Sequence, residues 1–381
     1  MVALIAFRRR SRSARDRRGS ALTLTALALV PLLGMAALAL DWGRICVAKA
    51  ELQRTADAAA MAGAWELLQS KAPGGSLDSF VAAEAARHAT AEYAALNKSF
   101  GQRLELERGD IEVGYLAPGA ELNASAGERF NAVRVRVRRD EGSNGSISMF
   151  FAGIIGIDTA ETAASATAMF IDDVAGFEMP QDGENLPILP FALDAETWQA
   201  AACGQGPDEW KWDGAAEKFV RGLDGIPEFN LYPQDTGSPG NRGTVNIGTQ
   251  ANSTSHVSRQ ISDGVDAGDL EFHGGQLTFN DSHELYLDGD PGISAGFKDE
   301  LKSIRGEGRI IPVFAGLAGS GGAGVYTITE WAGIRIAEVK LTGGEKRVIA
   351  QAAKVSTGGV IAGSGADSTS RFIFSRVWIC R

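Results

Sequence analysis

The sequence predicts an α+β protein hung from its N-terminus: a transmembrane helix extended by an alanine-rich helix, a small α+β domain, then a mostly antiparallel β-rich domain. Three observations carry this expectation. Residues 20–40 run for twenty-one positions without a charge, about 31 Å as a helix and enough to cross a hydrocarbon core. Apolar residues then keep helical spacing to about Leu96, and from Leu104 they begin to alternate as strands do. The chain also holds 47 glycines, which implies many turns and a second half rich in strands.

Each element follows from local chemistry. The seven arginines between Arg8 and Arg18 face only Asp16, and basic residues resist translocation. They hold residues 1–19 in the cytoplasm and send the chain beyond Asp41 across the membrane. Pro31 lies mid-span, where a bilayer tolerates it. A cleaved signal peptide would have a shorter apolar region ending at a small-x-small site, for which Ala37-Leu38-Ala39 is the candidate. The length of the span and the helix beyond it favour an anchor. A buried soluble helix would show a polar face, and this one has none.

Residues 41–70 continue the helix, with no proline and only Gly43 and Gly63 as weak points. Ala48, Leu52, Ala56, Ala60 and Ala64 form an i,i+4 row of mostly small residues, suited to close helix contact. Two partners fit that row, the chain's own globular domain or a second protein's helix. Pro73-Gly74-Gly75 ends the helix, and Ser76 can cap the next. That second helix should turn Leu77, Phe80, Val81, Ala85, the His88/Ala89 pair and Leu96 inward, with His88 as a packing residue.

Strands are expected at residues 104–107 and 111–115, and most clearly at 131–139, where Asn131, Val133, Val135 and Val137 share one face and Arg134, Arg136 and Arg138 the other. That arginine row reads as a solvated sheet face opposite Glu105, Glu107 and Glu112. A short apolar helix at 147–157 and an alanine-rich strand complete a domain over 41–171. A polar, turn-rich linker fills 172–185, and the β-rich domain spans 186–381. It should hold a turn-dense segment at 232–241, helices near 255–264 and 292–304, and strands at 309–314, 325–328, 333–340, 348–355 and 372–379.

Residues 1–19 carry a net +6, so the chain's −10 leaves −16 on the remainder. That balance argues against a nucleic-acid surface and against docking on anionic lipid. Of three cysteines, Cys203 and Cys380 are the natural disulfide in an oxidising compartment, leaving Cys46 beside the membrane. Residues 319–324 match G-x-G-x-x-G, yet a strand pattern follows rather than the helix whose N-terminus would hold phosphate. Glu271, His273 and His283 are the set closest to metal ligands, with the first two expected on one face of a strand. Asp288-Gly289-Asp290-Pro291-Gly292 reads as a tight turn. Trp198, Trp210 and Trp212 beside Asp208, Glu209 and Asp213 read as packing, with a carbohydrate platform as the competing reading. No catalytic residue, cofactor or metal site is expected, and an envelope enzyme or sugar-binding module using these groups is the alternative function.

Several stretches resemble the TadE/TadG-like proteins of Flp (tight adherence) pilus assembly. They are Arg18-Gly19 before the apolar span, Asp41-Trp42-Gly43-Arg44 after it, residues 51–64 (ELQRTADAAAMAGA), the strand NAVRVRVRR, and residues 149–156 (MFFAGIIG). The resemblance covers about 18–170 and extends more weakly beyond, where residues 310–314 (IIPVF) and the closing strands look like TadG-type C-terminal regions. It implies a non-enzymatic accessory or structural protein of the bacterial inner membrane, with the bilayer, TadE/TadF-like proteins and the pilus machinery as partners and self-association left open. Pilin-like members carry glutamate at the fifth position after the processed glycine. Leu24 occupies that place here, which implies a TadG-type accessory protein rather than a filament subunit. Residues 367–370 do not fit the D-x-S-x-S metal site of a von Willebrand A domain, so no such domain is implied.

Overall fold

The computed structural model describes residues 17–73, 78–124, 129–232, 243–248, 253–289, 295–319, 324–343, 346–363 and 369–380. Residues 8–16, the expected cap Ser76, Leu77, and residues 233–241, 290–292, 320–323 and 367–368 lie outside them.

Helix α1 (Arg17–Ser70) runs unbroken for 54 residues through Pro31, about 80 Å at 1.5 Å per residue. Helix α2 (Ser79–Leu96) follows. Next come hairpin β1 (Lys98–Ser99) and β2 (Gln102–Arg103), then β3 (Ile111–Gly114) and β4 (Ala132–Arg139). A second hairpin, β5 (Ile147–Ser148) and β6 (Thr159–Ala160), leads into β7 (Thr162–Met169). On β4, Val133, Val135 and Val137 are buried as the alternation requires, and Arg134 bonds to Glu112 on antiparallel β3 at 3.4 Å. Buried Asn131 ties three segments together: its Oδ1 accepts from the Leu116 amide and its Nδ2 donates to the Leu116 and Phe170 carbonyls.

The region after β7 is built on one large sheet. Its elements are β8 (Val174–Glu178), β9 (Leu193–Asp194), α3 (Ala195–Ala202), β10 (Trp210–Asp213), β11 (Lys218–Arg221) and β12 (Glu228–Tyr232). They continue as α4 (Thr254–Asp263), α5 (Ala267–Phe272), β13 (Gln276–Thr278), β14 (Leu285–Asp288), α6 (Lys298–Ser303), β15 (Gly308–Ala318), β16 (Val325–Lys340) and β17 (Arg347–Ala352). The chain closes with β18 (Val355–Thr357), β19 (Val360–Ala362), β20 (Ser370–Arg371), β21 (Ile373–Ser375) and β22 (Trp378–Cys380). The central sheet runs β12-β17-β16-β15-β9, with β14 and β20 also on β16. Its neighbours pair antiparallel except β9 and β20. Side chains alternate between two cores. Ile311 and Val313 join Trp198, Val257, Ile261 and Leu301 on the helical side, whereas Ile310 and Phe314 join Phe177, Leu277, Tyr326 and Trp331 on the other. The α+β class expected from the sequence is the class observed.

The chain divides into two compact units: residues 1–56, 94–106 and 136–165 in one, and 57–93, 107–135 and 166–381 in the other. In the second unit α1 ends at Ser70, where Lys71 Nζ meets Asp172 Oδ2 at 2.5 Å and Lys354 Nζ donates to Gln69.

Several elements differ from expectation. Residues 104–107 are irregular rather than a strand, and 147–157 is not a helix but the base and tip of the β5–β6 hairpin, with a single 3-10 turn at Ala152–Ile155. Glycines at 153 and 156 favour the turn; Gly156 sits at φ 87°, which terminates any helix there. Helix α2 is rotated from its expected face. Phe80, Val81, His88 and Leu96 are exposed, while Ala82, Ala83, Ala86, Thr90 and Ala94 are buried. Strand β8 lies inside the stretch expected as a linker.

Candidate functional site

Asp41 is the first charged residue after the apolar span, and it organises its surroundings. The side chain is 4% exposed and accepts three backbone hydrogen bonds, from the Phe150, Phe151 and Ala152 amides at 2.7, 2.9 and 2.7 Å. Burial alone would raise its pKa, but these three donors and the nearby Arg44 outweigh it and hold the carboxyl below its ordinary value. One helical turn on, Arg44 Nε donates to the Ser148 carbonyl at 3.1 Å. The Arg44 guanidinium lies 4.2 Å from the Phe150 ring centre and 4.8 Å from that of Phe100. Glu51 Oε2 accepts the Phe100 amide at 3.1 Å, at the tip of the β1–β2 hairpin, and Gln53 Nε2 donates to the Ser165 carbonyl at 3.2 Å. Asp41, Arg44, Ala48, Glu51 and Leu52 follow i,i+3/i+4 spacing, so one face of α1 carries a ladder of contacts to two hairpins.

The row Ala48, Leu52, Ala56, Ala60 and Ala64 is wholly buried within the chain, together with Ala59, Leu67 and Leu68. Its closest approach is at Gly63. A Cβ placed there would lie 2.2 Å from Thr90 Oγ1, 3.1 Å from Val133 Cγ1 and 3.3 Å from the Ala86 carbonyl oxygen. Thr90 Oγ1 is itself satisfied by donating to the Ala86 carbonyl at 2.7 Å. Small side chains on both helices let the backbones close to a distance that leucine would forbid.

The span itself faces outward. Its leucines, together with Val30 and Met35, are all more than half exposed, and α1 is the one helix among the described residues long and apolar enough to cross a membrane. Trp42, just beyond it, is also exposed.

The other groups singled out by sequence are dispersed. All three cysteines are free, so the expected Cys203–Cys380 bond is not formed. Cys203 sits exposed at the end of α3, accepting from Gln199 Nε2 at 3.6 Å, whereas Cys380 packs from β22 against the cluster of Leu116, Ala132 and Met169. Burial pushes the Cys380 thiol up, away from the reactive thiolate. Glu271 lies on α5 rather than a strand, with His273 just past its end. The signal for that helix was the reciprocal Asp266–Asp269 capping pair. Burial lowers the His273 imidazole, and His283 is exposed in a turn. Among the described residues no three His, Cys, Asp or Glu side chains converge as metal donors.

Trp198 is fully buried and donates Nε1 to Glu330 at 3.0 Å. The Arg221 guanidinium lies over one face of Trp210 at 4.1 Å and that of Arg335 over one face of Trp212 at 4.7 Å. Beneath Trp210, Glu228 accepts the Glu209 and Trp210 amides at 2.8 and 2.9 Å, and its burial raises its pKa despite them. A cavity of about 330 Å³ beside Cys203 is lined by Ala201, Ile226, Pro227, Ala352 and Phe372 among others; its lining side chains are hydrocarbon apart from the one thiol, and backbone polar groups make up much of the rest of its wall.

A helix of this apolar length, leading into a body folded against its own continuation, is a candidate membrane span on a chain of α+β class. Residues 19–66 match the Tad family model, described as "Putative Flp pilus-assembly TadE/G-like", and residues 47–168 match Tad_C, "Putative Tad-like Flp pilus-assembly". Together the two matches cover residues 19–168, the stretch whose motifs resemble that family, and residues 169–381 lie outside both. No curated protein and no solved structure matches the chain.

Proposed function

We propose that this chain is a non-enzymatic, membrane-anchored accessory protein of Flp pilus assembly or a related secretion apparatus. In this reading residues 1–19 stay in the cytoplasm, residues 20–40 span the bacterial inner membrane, and the body from Asp41 onward stands on the exported side. The observation that carries the reading is the match of both family regions to the part of the chain where α1 leaves its apolar span and becomes a packed helix. The role is mechanical: the span fixes the position of the body, and the body's surface meets TadE/TadF-like proteins and the pilus machinery. The alanine row, spent on the chain's own packing, leaves partner contacts to other surfaces.

Two measurements test this. Protease added to spheroplasts should digest the body while an N-terminal tag stays protected; the reverse pattern overturns the orientation. Deleting the gene in its host should abolish surface pilin, with the full chain restoring it, and unchanged pilus assembly overturns the function.

A further inference from the structure

Among the described residues, the β5–β6 hairpin ends in the most exposed apolar cluster outside the span. Phe150, Ile154, Ile155 and Ile157 are 67, 84, 77 and 52% exposed, and Phe151 is 40% exposed. Water is a poor solvent for such a cluster, and its place in the chain's own anchor region says what covers it. Asp41 directly follows the last apolar residue of the span, and its carboxylate holds the tip through three amides. The tip is thereby fixed at the level where α1 leaves the hydrocarbon, beside exposed Trp42, a residue type that favours that boundary.

The backbone of the tip is also prepared to leave water. Irregular chain survives beside lipid only when its polar groups are satisfied internally. The Phe150, Phe151 and Ala152 amides are bonded to Asp41, the Met149 amide to the Asp158 carbonyl, and those of Ile154, Gly156 and Ile157 to the carbonyls of Phe151, Gly153 and Ala152. An apolar surface with most of its amide donors already bonded, pinned beside a membrane span, matches the headgroup–acyl boundary of a bilayer.

We propose that the hairpin tip at 149–157 is a second membrane contact, inserting Phe150, Phe151, Ile154, Ile155 and Ile157 into the leaflet from which the span emerges. The proposal rests on the single-pass reading and adds a restraint to it. A lone helix leaves the body free to swivel and tilt, whereas a helix plus an inserted hairpin fixes its orientation on the membrane.

The test uses the full chain reconstituted into phosphatidylethanolamine–phosphatidylglycerol vesicles containing a lipid with a photoactivatable diazirine in its acyl chain, with adducts mapped by mass spectrometry. Adducts are expected on residues 20–40 and also on 149–157. In the Ile154→Asp/Ile155→Asp variant, altered only at exposed positions, the tip adducts should fall by about tenfold or more while those in the span persist. A tip free of adducts beside a labelled span overturns the proposal and leaves the anchor standing. A tip labelled equally in the variant and the parent also overturns it. A chain labelled at neither place overturns both readings.

Discussion

The two halves of α1 obey opposite rules. From Leu22 to Leu40 the large side chains face outward, and from Ala48 to Leu68 a mostly small set faces inward and is fully buried. The surroundings explain the inversion. Lipid rewards large apolar side chains wherever they point, because the acyl chains are as apolar as leucine. A protein neighbour rewards close approach, which only small residues permit. Mean apolarity therefore cannot separate a spanning helix from a docked one; residue size along the buried face can.

The comparison breaks most visibly at Gly63. Gly63→Val places a branched side chain where even a Cβ would sit 2.2 Å from Thr90 Oγ1. The expected cost is about 3 kcal/mol or more, at the upper end for overpacking, read as a large loss of melting temperature in detergent. Next comes Ala60→Leu in the same buried stretch, at roughly 1–3 kcal/mol. The matched change in the other half, Leu33→Ala, should leave the melting of the body unaltered, since that side chain is 60% exposed. Equal effects at 60 and 33 would dissolve the distinction.

Between the halves stands Asp41, whose effect should be local. Its folded-state pKa is depressed, so its contribution is fully present above the ordinary carboxylate value and is lost only as pH falls through the lower, folded value. The protection of the amides of residues 150–152, as exchange relative to the unstructured rate at each pH, should hold from pH 8 to pH 5 and fall only below the usual carboxylate range. Asp41→Asn should lower that protection at neutral pH while leaving the body's global melting in place. Unchanged exchange in that variant would show that the hairpin holds itself without the pin.

Sequence reading captured what depends on near neighbours and missed what depends on distant ones. The extent of α1 to Ser70 was legible from alanine content and the break at Pro73, and the buried valines of β4 from their alternation. The inner face of α2 was misread because Phe80, Val81 and Leu96 outweigh alanine on any apolarity scale. The usable clue was the size complementarity of Ala82, Ala83, Ala86 and Thr90 to a glycine on α1. The hairpin at 147–157 was misread as a helix because its organising acceptor, Asp41, lies 109 residues from Phe150. The cysteine pairing failed for a related reason: compartment chemistry says that a bond is permitted, and only the fold says whether two thiols meet.

The finest test compares two glycines on the same helix. Gly43 has the same backbone conformation as its neighbours, yet an added Cβ there meets nothing within 4 Å. Glycine inside a helix costs about 0.5–1 kcal/mol relative to alanine, through the extra freedom it surrenders on folding. Gly43→Ala should therefore stabilise α1 by up to that amount, visible as slower exchange of the amides around Arg44. Gly63→Ala should do the reverse, since Thr90 and the Ala86 carbonyl must retreat to admit one methyl group. One substitution with opposite signs twenty residues apart would locate where α1 stops being a free cylinder and becomes part of a packed body. Stabilisation at both positions would mean that the two helices lie farther apart than 2.2 Å to a Cβ allows, and the size rule for the second half of α1 would lose its support.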